Sequence, residues 1–156
     1  MALSIKPYIE NKERIHLIGI GGVSMNSLAE LLISLGVPVS GSDRLKTDIT
    51  ARLESLGAKI SYEHKPENVE GASLVVRTAA VHDDNPEVAR AHALGIPVME
   101  RAEAWGHLMR DYDNVVCLAG THGKTTSTSM MTLMTMEAGL DPTVMVGSNL
   151  PAIGGT

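Results

Sequence analysis

The stretch Arg14-Ile-His-Leu-Ile-Gly-Ile-Gly-Gly22 decides how this chain is read. Arg14 to Ile18 is a short, mostly apolar run that ends at a glycine, the pattern of a buried strand. Gly19, Gly21 and Gly22 then allow a tight turn and a close approach of backbone to a ligand. Leu28, Leu31, Leu32 and Leu35 recur at helical spacing, and Gly36 stops the helix. A strand, a glycine loop and a helix in that order open a parallel β-α-β unit.

The pattern continues outward. Val37 to Ser40 reads as a second strand, with Pro38 near its start because proline has no amide to donate. Asp48 to Leu56 reads as a helix closed by Gly57. Lys59 to Tyr62 and Ser73 to Val76 read as strands. Asn85, Pro86 and Glu87 mark a helix start: N-cap, first position, acidic first turn. Ile96 to Met99 is a fifth strand, and Arg101 to Met109 a further helix. Short connections in this order predict an α/β fold, a parallel sheet with helices on both faces. After the polar break Arg110 to Asn114 the pattern restarts. Val115 to Leu118 is expected as a strand, Lys124 to Ala138 as a long helix, and Thr143 to Val146 as one more strand. Pro151 to Thr156 carries no helix signal.

Composition narrows the function. The chain has 156 residues, 44% hydrophobic and 20% charged, enough to bury a core. Aromatics are 3%, too few for a base-stacking surface, and the net charge of −5 opposes a general nucleic-acid or polybasic membrane binder. No run is long and apolar enough for a membrane span, and Met1 to Lys12 has no secretory core. One cysteine, Cys117, excludes an internal disulfide framework. A cytoplasmic protein is expected.

Two loops carry chemistry. In the first, Gly19, Gly21 and Gly22 at a helix start favour a pyrophosphate, and Asp43 lies about 20 residues on, where an acid meets ribose hydroxyls. The third fingerprint position is Ser24 rather than glycine or alanine. A ligand-free tight turn remains the alternative. The second loop is Gly120-Thr-His-Gly-Lys-Thr-Thr126. Its amides from Gly120 through Thr121, His122 and Gly123 to Lys124 suit phosphate oxygens. Lys124 suits the β- and γ-phosphates of ATP, and the Thr125 hydroxyl suits Mg²⁺. Leu118 stands where the full eight-position pattern has its first glycine, so the loop is a shortened variant. His122 either touches phosphate or positions the loop.

With both loops, Ala29 to Leu32, Ser40 to Asp43, Asn85 to Glu87, Gly95 to Val98 and Arg101 to Glu103 in this order, the chain resembles the N-terminal part of a Mur ligase. The resemblance runs from about Arg14 onward. Among Mur ligases, the first loop with Met25 behind it is similar to the branch that joins L-alanine to UDP-N-acetylmuramate in peptidoglycan synthesis. It implies a Rossmann-like UDP-sugar domain over residues 1–111 and the opening of a P-loop ATPase domain over 112–156, with a C-terminal domain outside this chain. It also implies UDP-sugar contacts at Gly19, Gly21, Gly22, Val23, Ser24, Met25, Ser42, Asp43, Thr78 and Ala79. ATP contacts are implied from Gly120 to Thr126, with Lys124 and Thr125 serving phosphoryl transfer and Thr125 reaching Mg²⁺. In that family the substrate carboxylate takes the γ-phosphate of ATP as an acyl phosphate, and the amine of L-alanine then displaces the phosphate. This fragment is expected to bind the nucleotide sugar without turning over.

The chain departs from the family at Ser24, at Arg77-Thr-Ala-Ala-Val81, where relatives carry a Ser-Ser-Ala-Ile-like run, and at Trp105 to Met109. Three other readings compete: a recycling ligase that attaches a peptide to the same UDP-sugar, an NAD-dependent oxidoreductase, and a non-enzymatic nucleotide-binding module. Elsewhere the plain readings are structural. Met130, Met131, Met134 and Met136 are expected in a core, and Cys117 as a small buried residue. His16 is expected as an ordinary strand residue, Glu63 to Lys65 and His82 to Asp84 as solvated loops, and Trp105 as a packing anchor.

Overall fold

The structure, a computed structural model, describes residues 3–148 and 150–153. The end of the tail, residues 154–156, lies outside the described residues. The chain divides into two compact units, Met1–Asp113 and Asn114–Thr156.

The first unit runs α1 (Lys6–Glu10), β1 (Ile15–Ile18), α2 (Val23–Ser34), β2 (Val39–Ser42), α3 (Asp48–Ser55), β3 (Lys59–Ser61), a 3₁₀ turn (Pro66–Val69), β4 (Leu74–Arg77), α4 (Pro86–Ala93), β5 (Val98–Glu100) and α5 (Arg101–Met109). The sheet order is β3-β2-β1-β4-β5, and every neighbouring pair is parallel. The expected parallel α/β architecture holds.

Strand alternation sorts the two faces. Ile15, Leu17, Val39, Leu74 and Val76 enter one large apolar core. Met25, Leu28, Ala29 and Leu32 of α2 pack into it at i, i+3, i+4 and i+7, as do Ala104, Trp105 and Leu108 of α5. Leu31 only packs against this core and Leu35 is exposed, so the buried stripe is rotated from the one that the leucines alone suggest. Trp105 is an anchor as expected, its indole N–H donating to the Ser24 carbonyl at 3.4 Å. On the other face Ile18 and Val75 meet Val69, Val88 and Ala91. The rest of that face is polar: His16, Ser40 and Ser42 are all buried.

Two strands begin later than the hydrophobic pattern suggests. Pro38 and Pro97 lack the amide a ladder needs, but their carbonyls accept from Ile15 at 3.1 Å and Val75 at 3.0 Å. Pairing then starts in register at Val39 opposite Ile15, and at Val98 opposite Val75. β2 continues through Gly41-Ser42, past the end at Ser40 that the apolar pattern suggests. A Cβ at Gly41 would lie 2.7 Å from both the Ile20 Cδ1 and the Leu17 carbonyl oxygen. Two caps behave as the residue types require. The Asn85 side chain accepts from the Glu87 amide at 2.9 Å and the Val88 amide at 3.4 Å. Thr47 and Thr50 cap α3 reciprocally.

The second unit holds α6 (Lys124–Glu137) and a 3₁₀ turn at Pro151–Ile153. The strands expected at 115–118 and 143–146 are not formed; both segments are irregular. Val115, Val116 and Cys117 are exposed, and so are Met130, Met131, Met134 and Met136. The expected burial of these residues is therefore corrected.

Gly41→Ala should destabilise the first unit by about 1–3 kcal/mol, since the added methyl meets backbone as well as a side chain. Urea denaturation measures it; an unchanged midpoint would remove the close-packing explanation for this glycine.

Candidate functional site

In the strand order, β1 and β4 are neighbours whose following loops part to opposite faces. The β1 loop leads to α2 on the large core, and the β4 loop leads to α4 on the smaller one. This is the switch point of an open parallel sheet, where the carboxyl ends of the strands leave a crevice for a ligand. Topology brings Gly19, Gly21, Gly22, Val23 and Ser24 to one side of it and Thr78 and Ala79 to the other. Asp43 follows β2, next to β1.

The glycine loop is built differently from its expected role. Gly19 and Ile20 both donate to the Ser42 carbonyl, at 2.8 and 3.0 Å. The Gly21 amide donates to Asp43 Oδ2 at 2.8 Å, and the Gly22 amide to the Gly19 carbonyl at 3.0 Å. All four amides from Gly19 to Gly22 are thus bonded within the protein. The glycines serve shape: Gly19 has φ +78°, and a Cβ at Gly21 would lie 2.9 Å from Asp43 Oδ2. Helix α2 starts at Gly22 without a side-chain cap, so the start of α2, at Val23 and Ser24, is the end that an anion would meet.

Three residues expected to contact the UDP-sugar also have evident roles within the protein. Asp43 is first a loop fastener, its other oxygen accepting from the Arg44 and Leu45 amides at 2.7 and 3.2 Å. Met25 is fully buried in the core, where the i+3 and i+4 stripe of α2 puts it. The Ser42 side chain is also fully buried, turned to the polar face of the sheet. Its hydroxyl donates to Glu87 at 2.7 Å. The β4 loop is closed by Arg77, whose guanidinium donates to the Val81 carbonyl at 3.0 Å and to Asp83 at 2.6 Å.

The unexpected feature is Glu87. Its carboxylate is fully buried and takes four donors. Oε1 faces His16 Nε2 at 3.2 Å and Asn68 Nδ2 at 2.7 Å. Oε2 faces His64 Nδ1 and the Ser42 hydroxyl, each at 2.7 Å. His16 Nδ1 lies 3.0 Å from the Ser40 hydroxyl. Burial raises the Glu87 pKa, but hydrogen bonds from His16, Asn68, His64 and Ser42 outweigh it and hold the group down at about 2. An ionised carboxylate only accepts, so His16 Nε2 and His64 Nδ1 both carry the proton that faces it. The solvated reading of Glu63 to Lys65 is thereby corrected at His64, which is largely buried on Glu87. The signal was present in the sequence. A histidine inside an apolar strand, with serines at alternate positions of the next, marks a polar sheet face.

In the second unit, Gly123 adopts φ +77° and opens α6 without a side-chain cap. The Lys124 ammonium donates to the Gly120 carbonyl at 2.6 Å and to the Thr121 carbonyl at 3.4 Å. Gly120 to Thr126 are all exposed. The Thr125 hydroxyl lies 3.4 Å from where a Cβ on Gly147 would stand.

The model of the Mur ligase family, catalytic domain, matches residues 14–113. The chain belongs to the Mur ligase family. It is 52% identical over 143 residues to the UDP-N-acetylmuramate–L-alanine ligase of Acetivibrio thermocellus, covering 92% of this chain and 30% of that protein. It is 47% identical over 146 residues to the enzyme of the same name from Clostridium novyi, covering 94% and 32%. The crystal structure of UDP-N-acetylmuramate-alanine ligase from Thermotoga maritima superposes with a TM-score of 0.86 at 35% identity, over 92% of this chain and 34% of that one. The Neisseria meningitides UDP-N-acetylmuramate:L-alanyl-γ-D-glutamyl-meso-diaminopimelate ligase gives 0.84 at 29% identity, over 92% and 45%. The chain therefore spans about a third of the length of the curated relatives it matches. The family resemblance read from the loops is borne out.

Glu87 contributes stability wherever it is ionised in the folded chain. Its pKa is lowered from 4.5 to about 2, so the contribution is whole above pH 4.5 and is lost as the pH falls toward 2. The shift corresponds to about 3 kcal/mol. Glu87→Gln should lose stability of that order above pH 4.5. Its gap from the wild type should narrow on acidification. Denaturation at a series of pH values measures it, and a gap independent of pH would contradict the ionised, four-donor carboxylate.

Proposed function

We propose that residues 1–111 bind the UDP part of UDP-N-acetylmuramate. Residues 112–156 open the ATP-binding part of a ligase that joins L-alanine to that nucleotide in the cytoplasm. The observation that carries the reading is the switch point between β1 and β4: a glycine loop tied down by its own amides leads there into a helix with no side-chain cap at Gly22. Among the solved structures the alanine ligase is 35% identical and the tripeptide-adding ligase 29%, and the curated relatives at 47–52% identity are alanine ligases, which favours L-alanine over a peptide acceptor. An oxidoreductase has no use for the Lys124-Thr125 loop. Among the described residues no helix is long and apolar enough to cross a membrane.

Each residue has a stated task. Val23 and Ser24 stand at the helix start that faces the diphosphate, with Gly19, Gly21 and Gly22 setting the approach. Thr78 and Ala79 border the crevice from the β4 side. Binding energy at this remote diphosphate orients the sugar for the reaction. In the second loop Lys124 exchanges the Gly120 and Thr121 carbonyls for phosphate oxygens, a trade of neutral acceptors for charged ones. Gly120, Thr121, His122, Gly123 and Thr126 line the same loop.

No three acidic, histidine or cysteine side chains among the described residues are grouped to hold a metal ion. Thr125 offers one hydroxyl oxygen, which fits Mg²⁺ arriving with the nucleotide and keeping its phosphate and water ligands. Bound there, Mg²⁺ supplies neutralisation of phosphate charge.

Calorimetry of the chain should show binding of UDP-N-acetylmuramate and none of NAD. Saturable NAD binding, or no heat with the UDP-sugar at millimolar concentration, would overturn the assignment. In the whole ligase, Lys124→Ala should reduce ligation by at least about a hundredfold. Phosphate release near the wild-type rate would refute the role given to this lysine.

A further inference from the structure

The buried Glu87 cluster and the glycine loop meet at one residue, Ser42. From one side, the Ser42 hydroxyl donates to Glu87 Oε2 at 2.7 Å. From the other, the Ser42 carbonyl accepts the Gly19 and Ile20 amides at 2.8 and 3.0 Å. Its neighbour Asp43 takes the Gly21 amide at 2.8 Å. Ser42 and Asp43 therefore hold three of the four loop amides. The fourth, from Gly22, returns to Gly19.

We propose that Glu87 is a positioning residue for the first glycine loop. It acts through Ser42, and so sets where the start of α2 stands for the diphosphate. The proposal rests on the reading of the crevice as a diphosphate site. Glu87 itself touches only protein. It is suited to the task because its donors come from separate segments: His16 on β1, Ser42 on β2, His64 after β3 and Asn68 on the 3₁₀ turn. Together they hold one carboxylate in one place, and Ser42 with it. Two consecutive amides on the Ser42 carbonyl then fix the first peptides of the loop, where Gly19 takes its positive φ. The loop amides are bonded within the protein and serve to aim α2. An error in Ser42 therefore reaches the ligand as a misplaced helix start. Small misplacements of this kind are costly where binding depends on aligned donors.

The test uses the 156-residue chain. Ser42→Ala removes the link but leaves Glu87 three donors, so it keeps the question open to measurement if Glu87→Gln does not fold. Val88→Ala is the control, a core truncation beside Glu87 that spares the Ser42 hydroxyl. Amide hydrogen exchange, read by NMR without ligand, should show at least about tenfold loss of protection at Gly19 and Ile20 in Ser42→Ala. Amides of α4 should keep their protection relative to global stability. Affinity for UDP-N-acetylmuramate should fall about tenfold in Ser42→Ala and stay within about twofold in Val88→Ala. Protected loop amides with unchanged affinity in Ser42→Ala would overturn the proposal, as would an equal effect in Val88→Ala. Deprotected loop amides in a chain whose wild type binds no UDP-sugar would support the positioning and defeat the diphosphate reading instead.

Discussion

A carboxylate with no access to water sits between the sheet and α4, and the first unit is arranged around satisfying it. Removing Glu87 from water costs several kcal/mol unless its lone pairs find donors. Here four donors converge, from β1, β2, the segment after β3 and the 3₁₀ turn. None of these segments is sequence-adjacent to α4. The carboxylate stays ionised because these hydrogen bonds outweigh its burial, and they tie the crossover from β3 to β4 against the sheet. The amide of the same residue donates to the Asn85 cap, so local and long-range demands coincide at one position.

This arrangement divides labour across the sheet. One face is apolar, with Ile15, Leu17, Val39, Leu74 and Val76 under α2 and α5. It supplies bulk burial, worth ~1.5–3 kcal/mol for each large side chain. The other face is apolar beneath β1 and β4 but polar around His16, Ser40 and Ser42. The polar half lies below the carboxyl end of β2, where the glycine loop is fastened. Hydrophobic contact is non-directional, whereas hydrogen bonds specify angle and register. The directional half of the face stands where the loop needs direction.

The two glycine loops use the same residue types to different ends. In the first, the amides turn inward to Ser42, Asp43 and Gly19, and the loop presents a helix start. In the second, a lysine bends onto the carbonyls of Gly120 and Thr121, leaving a charge that a phosphate can draw away. The amides of one loop are satisfied within the protein, whereas the lysine of the other is held by two backbone carbonyls. Glycine spacing does not distinguish these cases, because it reports where backbone can go and not which partner each amide takes.

Much of the architecture was legible in the order of residues. The alternation of apolar runs with helical stripes, the Asn85-Pro86 start and the stops at Gly36, Gly57 and Gly95 are local signals. They suffice for a parallel sheet with helices on both faces, and the two loops suffice for the family. Strand limits were less legible, since Pro38 and Pro97 serve as acceptors without donating and the pattern sees only that they are apolar. The segment 115–118, expected as a strand, is irregular: apolar character invites a strand, but backbone pairing makes one. What tertiary structure alone decided is the role of Glu87 and the inward turn of the glycine amides. Both depend on groups brought together across dozens of residues, and a hydrogen bond has a partner only once the chain has folded.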